Sequence, residues 1–310
     1  MFLGLATGDA LGVPVEFCSR EERKSDPVRE MRGFGSHMQE PGTWSDDASL
    51  TFCTAEAMLE EFSAELLAEK FLRWFRENHW TARGRVFDIG IATHQALGRL
   101  EKGISAQQAG GKEENSNGNG SLMRIAPLAW HPEKNESTFF QLVRDASSVT
   151  HGHHRSVLAC HFYLQLLRRL LNGESFVPAF QELQLSWPEQ VTQLCPESNA
   201  ELIYFTRLLS NGFASVPESE IESGGYVIHS LEAALWCMLN SDNFCDAVEL
   251  AVNLGRDTDT TAAICGALAG TYYGKEAIPK GWLRVLARLP EIENLAERFY
   301  HKISGHAGTH

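Results

Sequence analysis

Gly255-Arg256-Asp257-Thr258-Asp259-Thr260-Thr261-Ala262-Ala263-Ile264-Cys265-Gly266-Ala267-Leu268-Ala269-Gly270 is the stretch on which the fold turns. Its second half predicts a helix over 260–273. Gly266 and Gly270, one turn apart, leave a bare stripe for a close neighbour. Gly4, Gly8 and Gly12 repeat that spacing near the start of the chain, so both segments predict tightly packed central helices. Its first half sets carboxylates beside hydroxyls. A helix N-cap needs one such oxygen, and Asp257, Asp259, Thr260 and Thr261 supply several.

A second cluster, Trp44-Ser45-Asp46-Asp47, stands about two hundred residues earlier, also just before a helical pattern. Capping explains Asp46-Asp47 as well as ligation does. Carboxylate and hydroxyl oxygens without Cys or His suit hard cations such as Mg²⁺, Mn²⁺ or Ca²⁺. Four aspartates brought into one pocket would repel one another unless cations lay between them. If the fold joins the clusters, a two-metal site and therefore an enzyme follows.

Apolar stripes at i, i+3, i+4 run through 49–61, 64–79, 86–101, 138–149, 154–171, 200–211, 229–240, 244–253, 260–273 and 281–288. No alternating strand pattern and no repeat stands out. The expectation is an all-α bundle of ten or more helices, with loops over 18–43, 103–123, 173–199 and 212–228. No linker-like stretch divides the chain, so residues 1–310 read as one domain. A hydrophobic content of 43% supplies the core, and a net charge of −13 argues against nucleic acid and anionic membranes. Cysteines at 18, 53, 160, 195, 237, 245 and 265 stand singly, as expected of reduced thiols in a cytoplasmic protein. The apolar start carries no basic flank, so no signal peptide is expected, nor any membrane span.

Three further segments carry chemistry. Pro14 should end the first helix near Gly12 and leave Glu16 free to face a pocket. Asp9, inside an apolar stretch, reads as a satisfied structural carboxylate. Asn115-Ser116-Asn117-Gly118-Asn119-Gly120-Ser121 can turn backbone N–H groups inward as an anion nest. In Thr150-His151-Gly152-His153-His154, adjacent imidazoles should splay apart. His151 is the one expected beside a ligand, and zinc spacing is absent.

Taken together, Gly-Asp-Ala-Leu-Gly-x-Pro-x-Glu-Phe (8–17), Trp-Ser-Asp-Asp (44–47), Asp-Ile-Gly (88–90), Asn-Gly-Ser-Leu-Met-Arg-x-Ala-Pro-Leu (119–128), Thr-His (150–151), Gly-Tyr-Val (225–227) and Gly-Arg-Asp-Thr-Asp-Thr-Thr-Ala-Ala (255–263) resemble the ADP-ribosylglycohydrolases. The resemblance implies an all-α fold with two divalent cations, Mg²⁺ or Mn²⁺. By the same resemblance, Ser45, Asp46, Asp47, Asp257, Asp259 and Thr260 are the metal ligands, with Ser45 standing where Thr is usual. Glu16, Asp46 and Asp259 become the catalytic candidates. Asn119, Gly120 and Ser121 match a pyrophosphate loop, His151 a histidine near the ligand, and Tyr226 an aromatic near adenine. Arg256 stands where Gly is common and adds charge beside the cluster.

The activity implied is hydrolysis of the glycosidic bond between ADP-ribose and a protein side chain, with arginine preferred and serine or small O-linked ADP-ribose the alternative. The partner is then an ADP-ribosylated protein. A protective protein that blocks an ADP-ribosylating toxin, and a merely metal-stabilised structural protein, are the readings from other classes.

Overall fold

A computed structural model describes residues 1–307. Helices account for every regular element among these residues: α1 (Phe2–Gly12), α2 (Arg20–Ser25), α3 (Asp46–Leu59), α4 (Ala64–Glu77), α5 (Ile91–Leu100), α6 (Ala106–Ala109), α7 (Glu136–Ser148), α8 (His154–Leu171), α9 (Phe176–Leu194), α10 (Val227–Leu239), α11 (Phe244–Asn253), α12 (Thr258–Tyr272), α13 (Lys280–Val285) and α14 (Leu289–Ala307). Short 3₁₀ turns join them, and only isolated bridges occur in place of strands. The all-α expectation holds.

Helices α1 and α12 are the axis around which the rest is built. Every residue of α1 is buried, and so is α12 from Thr258 to Gly270. Their glycines explain how they meet. A Cβ on Gly4 would lie 2.2 Å from the Gly266 carbonyl oxygen, one on Gly8 2.0 Å from that of Ala262, and one on Gly12 2.3 Å from the Asp259 Cα. The two backbones therefore touch without side chains between them, the close approach for which glycine is needed. A core continuous from Phe2 to Phe299 surrounds this seam. Within it, Trp44 packs edge-on to Phe52 at 5.2 Å and donates from Nε1 to the Ala287 carbonyl at 3.0 Å.

Several boundaries differ from the sequence expectation. Residues 173–199 read as a loop, yet they contain the 19-residue α9. Pro188 sits inside that helix and masks a buried stripe of Phe176, Ala179, Phe180, Leu183, Trp187 and Val191. Conversely, 200–211 does not form an α-helix. A 3₁₀ segment, Pro196–Phe205, and turns take its place, with Ile203 exposed. The stretch 86–101 is helical only from Ile91, and α2 and α14 had no counterpart in the reading. No helix among the described residues is long and apolar enough to cross a membrane.

Candidate active site

The α1–α12 seam ends at a cleft. Chain direction brings the C-terminal end of α1 to the N-terminal end of α12: the Thr258 hydroxyl donates to the Gly12 carbonyl at 2.8 Å. Pro14 lies in the 3₁₀ turn Val13–Val15, and Glu16 follows as its cap, buried. Helix α3 arrives at the same point because Asp9 holds its start. The Asp9 carboxylate accepts from Ser45 N at 2.8 Å and Ala48 N at 2.9 Å. Asp9 is therefore the satisfied structural carboxylate that the sequence suggested; burial lifts its pKa to about 7, against the pull of the Ser45 and Ala48 N–H groups at the positive end of α3.

Ser45 caps α3, and its side chain accepts from Asp47 N at 3.3 Å. Capping and clustering coexist here, because the remaining oxygens face the other acidic segment. The Thr260 hydroxyl reaches Asp47 Oδ2 at 3.3 Å, and the Ser45 hydroxyl reaches that same oxygen at 3.1 Å. The two clusters, distant in sequence, are thus one group. Ligand oxygens of Glu16, Asp257 and Asp259 lie within 4.8 Å of one another. Asp46, Asp47, Asp259 and Thr260 are nearly inaccessible and Asp257 is half-buried, and Asp46, Asp257, Thr260 and Glu16 line the cleft of about 550 Å³.

Burial, reinforced by neighbouring carboxylates, pushes Asp46, Asp47 and Asp259 well above the usual carboxylate range. Burial likewise raises Asp257 and Asp88, and lifts Glu16 to about 10. Such a group stays charged only if a cation compensates it. Two buried oxygens, Asp47 Oδ1 and Asp259 Oδ2, take no hydrogen bond. Unpartnered carboxylate oxygens beside the Ser45 and Thr260 hydroxyls form an all-oxygen donor set suited to Mg²⁺ or Mn²⁺.

Two residues of this centre escaped the sequence reading as functional. Asp88 enters from the irregular segment before α5, with left-handed backbone at φ 59, and contacts the Glu16 and Asp259 carboxyls. His37, from the turn at 35–37, closes on Glu16 through Nε2 and stands 3.7 Å from Asp88. The Asp-Ile-Gly segment held a signal for Asp88. For His37 the sequence held none.

The opposite wall is the loop 115–121. Asn119 N donates to the Gly225 carbonyl at 3.0 Å, so this N–H is spent within the protein. The Asn119 side chain donates to Asp257 Oδ2 and to the Ser230 hydroxyl, both at 2.8 Å. The N–H groups of Gly120 and Ser121 have no such protein acceptor among the described residues. Gly120 lines the cleft, whereas the Ser121 side chain turns inward to Ser147 and Cys160. His151 lines the cleft and is buried, its pKa pushed down to about 3 by desolvation and the nearby Arg124.

The other histidines splay as expected. His153 caps α8, and the exposed His154 meets Ser198. Sequence distance hid a grouping of His154 with Cys195 and Glu197. There the Arg144 guanidinium already holds Cys195 Sγ at 2.7 Å and Glu197 at 2.9 Å.

Tyr226 follows the cleft residue Gly225 and caps α10. Its hydroxyl accepts from Arg155 at 3.1 Å and its ring meets His229 edge-on at 4.9 Å. Arg256 turns away to Glu222 at 3.1 Å, so its charge is spent at the surface rather than at the carboxylates.

The family model described as ADP-ribosylglycohydrolase matches residues 1–308. The chain is 36% identical over 302 residues to the ADP-ribosylarginine hydrolase Tri1 of Serratia proteamaculans (strain 568), covering 96% of this chain and 77% of that protein. It is 34% identical to the Tri1 hydrolase of Pseudomonas putida (strain GB-1), covering 97% and 76% of the two. A solved chain of an ADP-ribosylglycohydrolase-related protein complex is 37% identical, with a TM-score of 0.78, covering 97% of this chain and 96% of that one.

Proposed function

The chain belongs to the ADP-ribosylglycohydrolase family, and on that premise we propose that it cleaves ADP-ribose from arginine side chains of modified proteins. The observation that carries the reading is the buried carboxylate group with two unpartnered oxygens, Asp47 Oδ1 and Asp259 Oδ2, opening on a cleft large enough for a nucleotide. Ser45, Asp46, Asp47, Asp257, Asp259 and Thr260 would hold two Mg²⁺ or Mn²⁺ ions. Bound there, the cations supply Lewis-acid charge that orients and polarises the ribose hydroxyls beside the bond that breaks.

The chain's own groups account for the rest. Glu16, steadied by His37, stands where it can take a proton from the attacking water. The C1–N bond breaks with oxocarbenium character and a C1–O bond forms. The proton passes to the departing guanidine, so ADP-ribose and an arginine guanidinium result. Asp46 and Asp259 hold their charge against the developing positive centre. The Gly120 and Ser121 N–H groups offset the pyrophosphate, which an acidic protein surface would repel. Tyr226, next to the cleft residue Gly225 though not itself lining the cleft, is the aromatic assigned to adenine. Exposed Phe17 and Ile91 stand at the mouth, where the modified protein must dock. The whole chain acts as one domain, in the cytoplasm, where its seven free cysteines remain reduced.

The test is incubation with arginine-ADP-ribosylated and serine-ADP-ribosylated proteins, each with and without Mg²⁺. Release is expected from the arginine-linked substrate alone, and only with the cation. Release from the serine-linked substrate alone overturns the linkage. Release from neither leaves binding, including protection against an ADP-ribosylating toxin, as the activity.

A further inference from the structure

Behind the cleft wall lies a short polar chain that packing alone does not explain. The Thr150 hydroxyl is fully buried and has two neighbours, Arg124 Nη2 at 2.8 Å and His151 Nδ1 at 2.9 Å. A guanidinium only donates, so the first contact uses a lone pair of the hydroxyl oxygen. The hydroxyl proton then has one acceptor left, His151 Nδ1. If Nδ1 carried a proton instead, the hydroxyl proton would be buried without a partner, the costlier arrangement.

Arg124 is itself expensively placed. It is fully buried over the Phe71 ring at 4.5 Å, with Nε and Nη1 unpartnered. Besides Thr150 its one acceptor is the Ala146 carbonyl at 3.1 Å. An apolar side chain would fill this space at lower cost.

The far edge of His151 opens on the cleft. Its Nε2 takes no hydrogen bond among the described residues. A Cβ on Gly118 would lie 3.3 Å from that atom, and one on Gly120 2.7 Å from Cε1. Glycine at both positions keeps the ring edge uncovered, beside the free N–H groups of Gly120 and Ser121.

We propose that Arg124 and Thr150, neither of which reaches the cleft, are positioning residues that hold His151 as the Nε2–H tautomer. That tautomer presents an uncharged donor to the anion bound at the 118–121 loop. The inference rests on the ADP-ribose reading above for the identity of the anion. It explains why a histidine at this place is useful although it does not charge. A neutral N–H donor adds to the backbone donors without a pH-dependent affinity.

The experiment uses the full chain with ¹⁵N-labelled histidine, long-range ¹H–¹⁵N correlation spectra and calorimetric titration with ADP-ribose. The parent is expected to show His151 protonated at Nε2 and bare at Nδ1, unchanged from pH 6 to 9 by its burial. Thr150→Val should introduce an Nδ1–H population and weaken ADP-ribose binding by about tenfold or more. Thr150→Ser should restore both. An Nδ1–H or imidazolium ring in the parent overturns the proposal, even if Thr150→Val fails to fold. So does a Thr150→Val protein that keeps the parent's spectrum and affinity. The tautomer is read without turnover, so a protein that hydrolyses no ADP-ribosylated substrate refutes the function and leaves this test intact.

Discussion

Replacing Gly8 by alanine puts a methyl carbon 2.0 Å from the Ala262 carbonyl oxygen and 2.5 Å from its carbon, where Cβ contacts under 3.0 Å essentially never occur. The obstacle is backbone, so no rotamer relieves it, and α1 and α12 must part by roughly an ångström. Overpacking of this kind costs about 3 kcal/mol, at the upper end of its usual range. The helix propensity of alanine over glycine returns up to about 1 kcal/mol. The net loss of about 2 kcal/mol lowers Tm by roughly 3 °C for a chain of this size, whose unfolding entropy is about 0.65 kcal/mol/K. Function should suffer more than stability. Glu16 follows α1 while Asp257, Asp259 and Thr260 open α12, so widening the seam separates the halves of the site. Misplacement on that scale costs on the order of 10²-fold in kcat. Gly98→Ala on α5 is the control, since its Cβ meets nothing within 4 Å. That variant should be stabilised by several tenths of a kcal/mol and keep full turnover. Differential scanning fluorimetry and ADP-ribose release on both variants decide the matter. A Gly8→Ala protein as stable and as active as the parent would refute the backbone-contact account of the seam.

Three other outcomes follow from the site. Asp259→Ala should abolish turnover with helical circular dichroism intact and without the Mg²⁺-induced rise in Tm. In chelator it should melt no lower than the parent, because a buried carboxyl under mutual repulsion has been removed. Tyr226→Ala should weaken ADP-ribose binding roughly ten- to a hundredfold by calorimetry, with a smaller effect on maximal turnover, as expected if the ring stacks on adenine. His161, buried and accepting from Trp187 Nε1 at 3.0 Å, has its pKa lowered from 6.5 to about 3 by desolvation. As pH falls through 6.5 the unfolded chain takes up a proton that the folded chain refuses. Stability is therefore lost downward through that window at up to about 1.4 kcal/mol per pH unit. Denaturation of the parent and of His161→Asn at pH 7.5 and 5.0 should show their difference narrowing in acid. The raised carboxyls push the other way, equally in both proteins. A constant difference would mean that His161 titrates normally.

The local character of this chain was legible because it depends on nearby residues. Helical stripes, the glycine spacing at 4, 8 and 12 and at 266 and 270, and the carboxylate–hydroxyl runs at 45–47 and 257–260 all follow from side-chain type and short spacing. Pro188 shows the limit of that reading, since a helix paid for by packing of Trp187 and Val191 tolerates a residue that local rules reject. The meeting of the two acidic runs was a conditional statement until α1, lying between α3 and α12, joined them through Asp9, Gly12 and Glu16. Asp88 and His37 reach the centre from irregular segments, and Arg256 leaves it. Left-handed backbone at Asp88 and Arg256, and the turn around His37, aim those side chains. Sequence specified which chemical groups the protein owns and which of them ride on helices. Where the groups from irregular segments point is set by long-range backbone contacts, which no local pattern encodes, so tertiary structure alone decided that His37 joins the carboxylates and that Arg256 turns away from them.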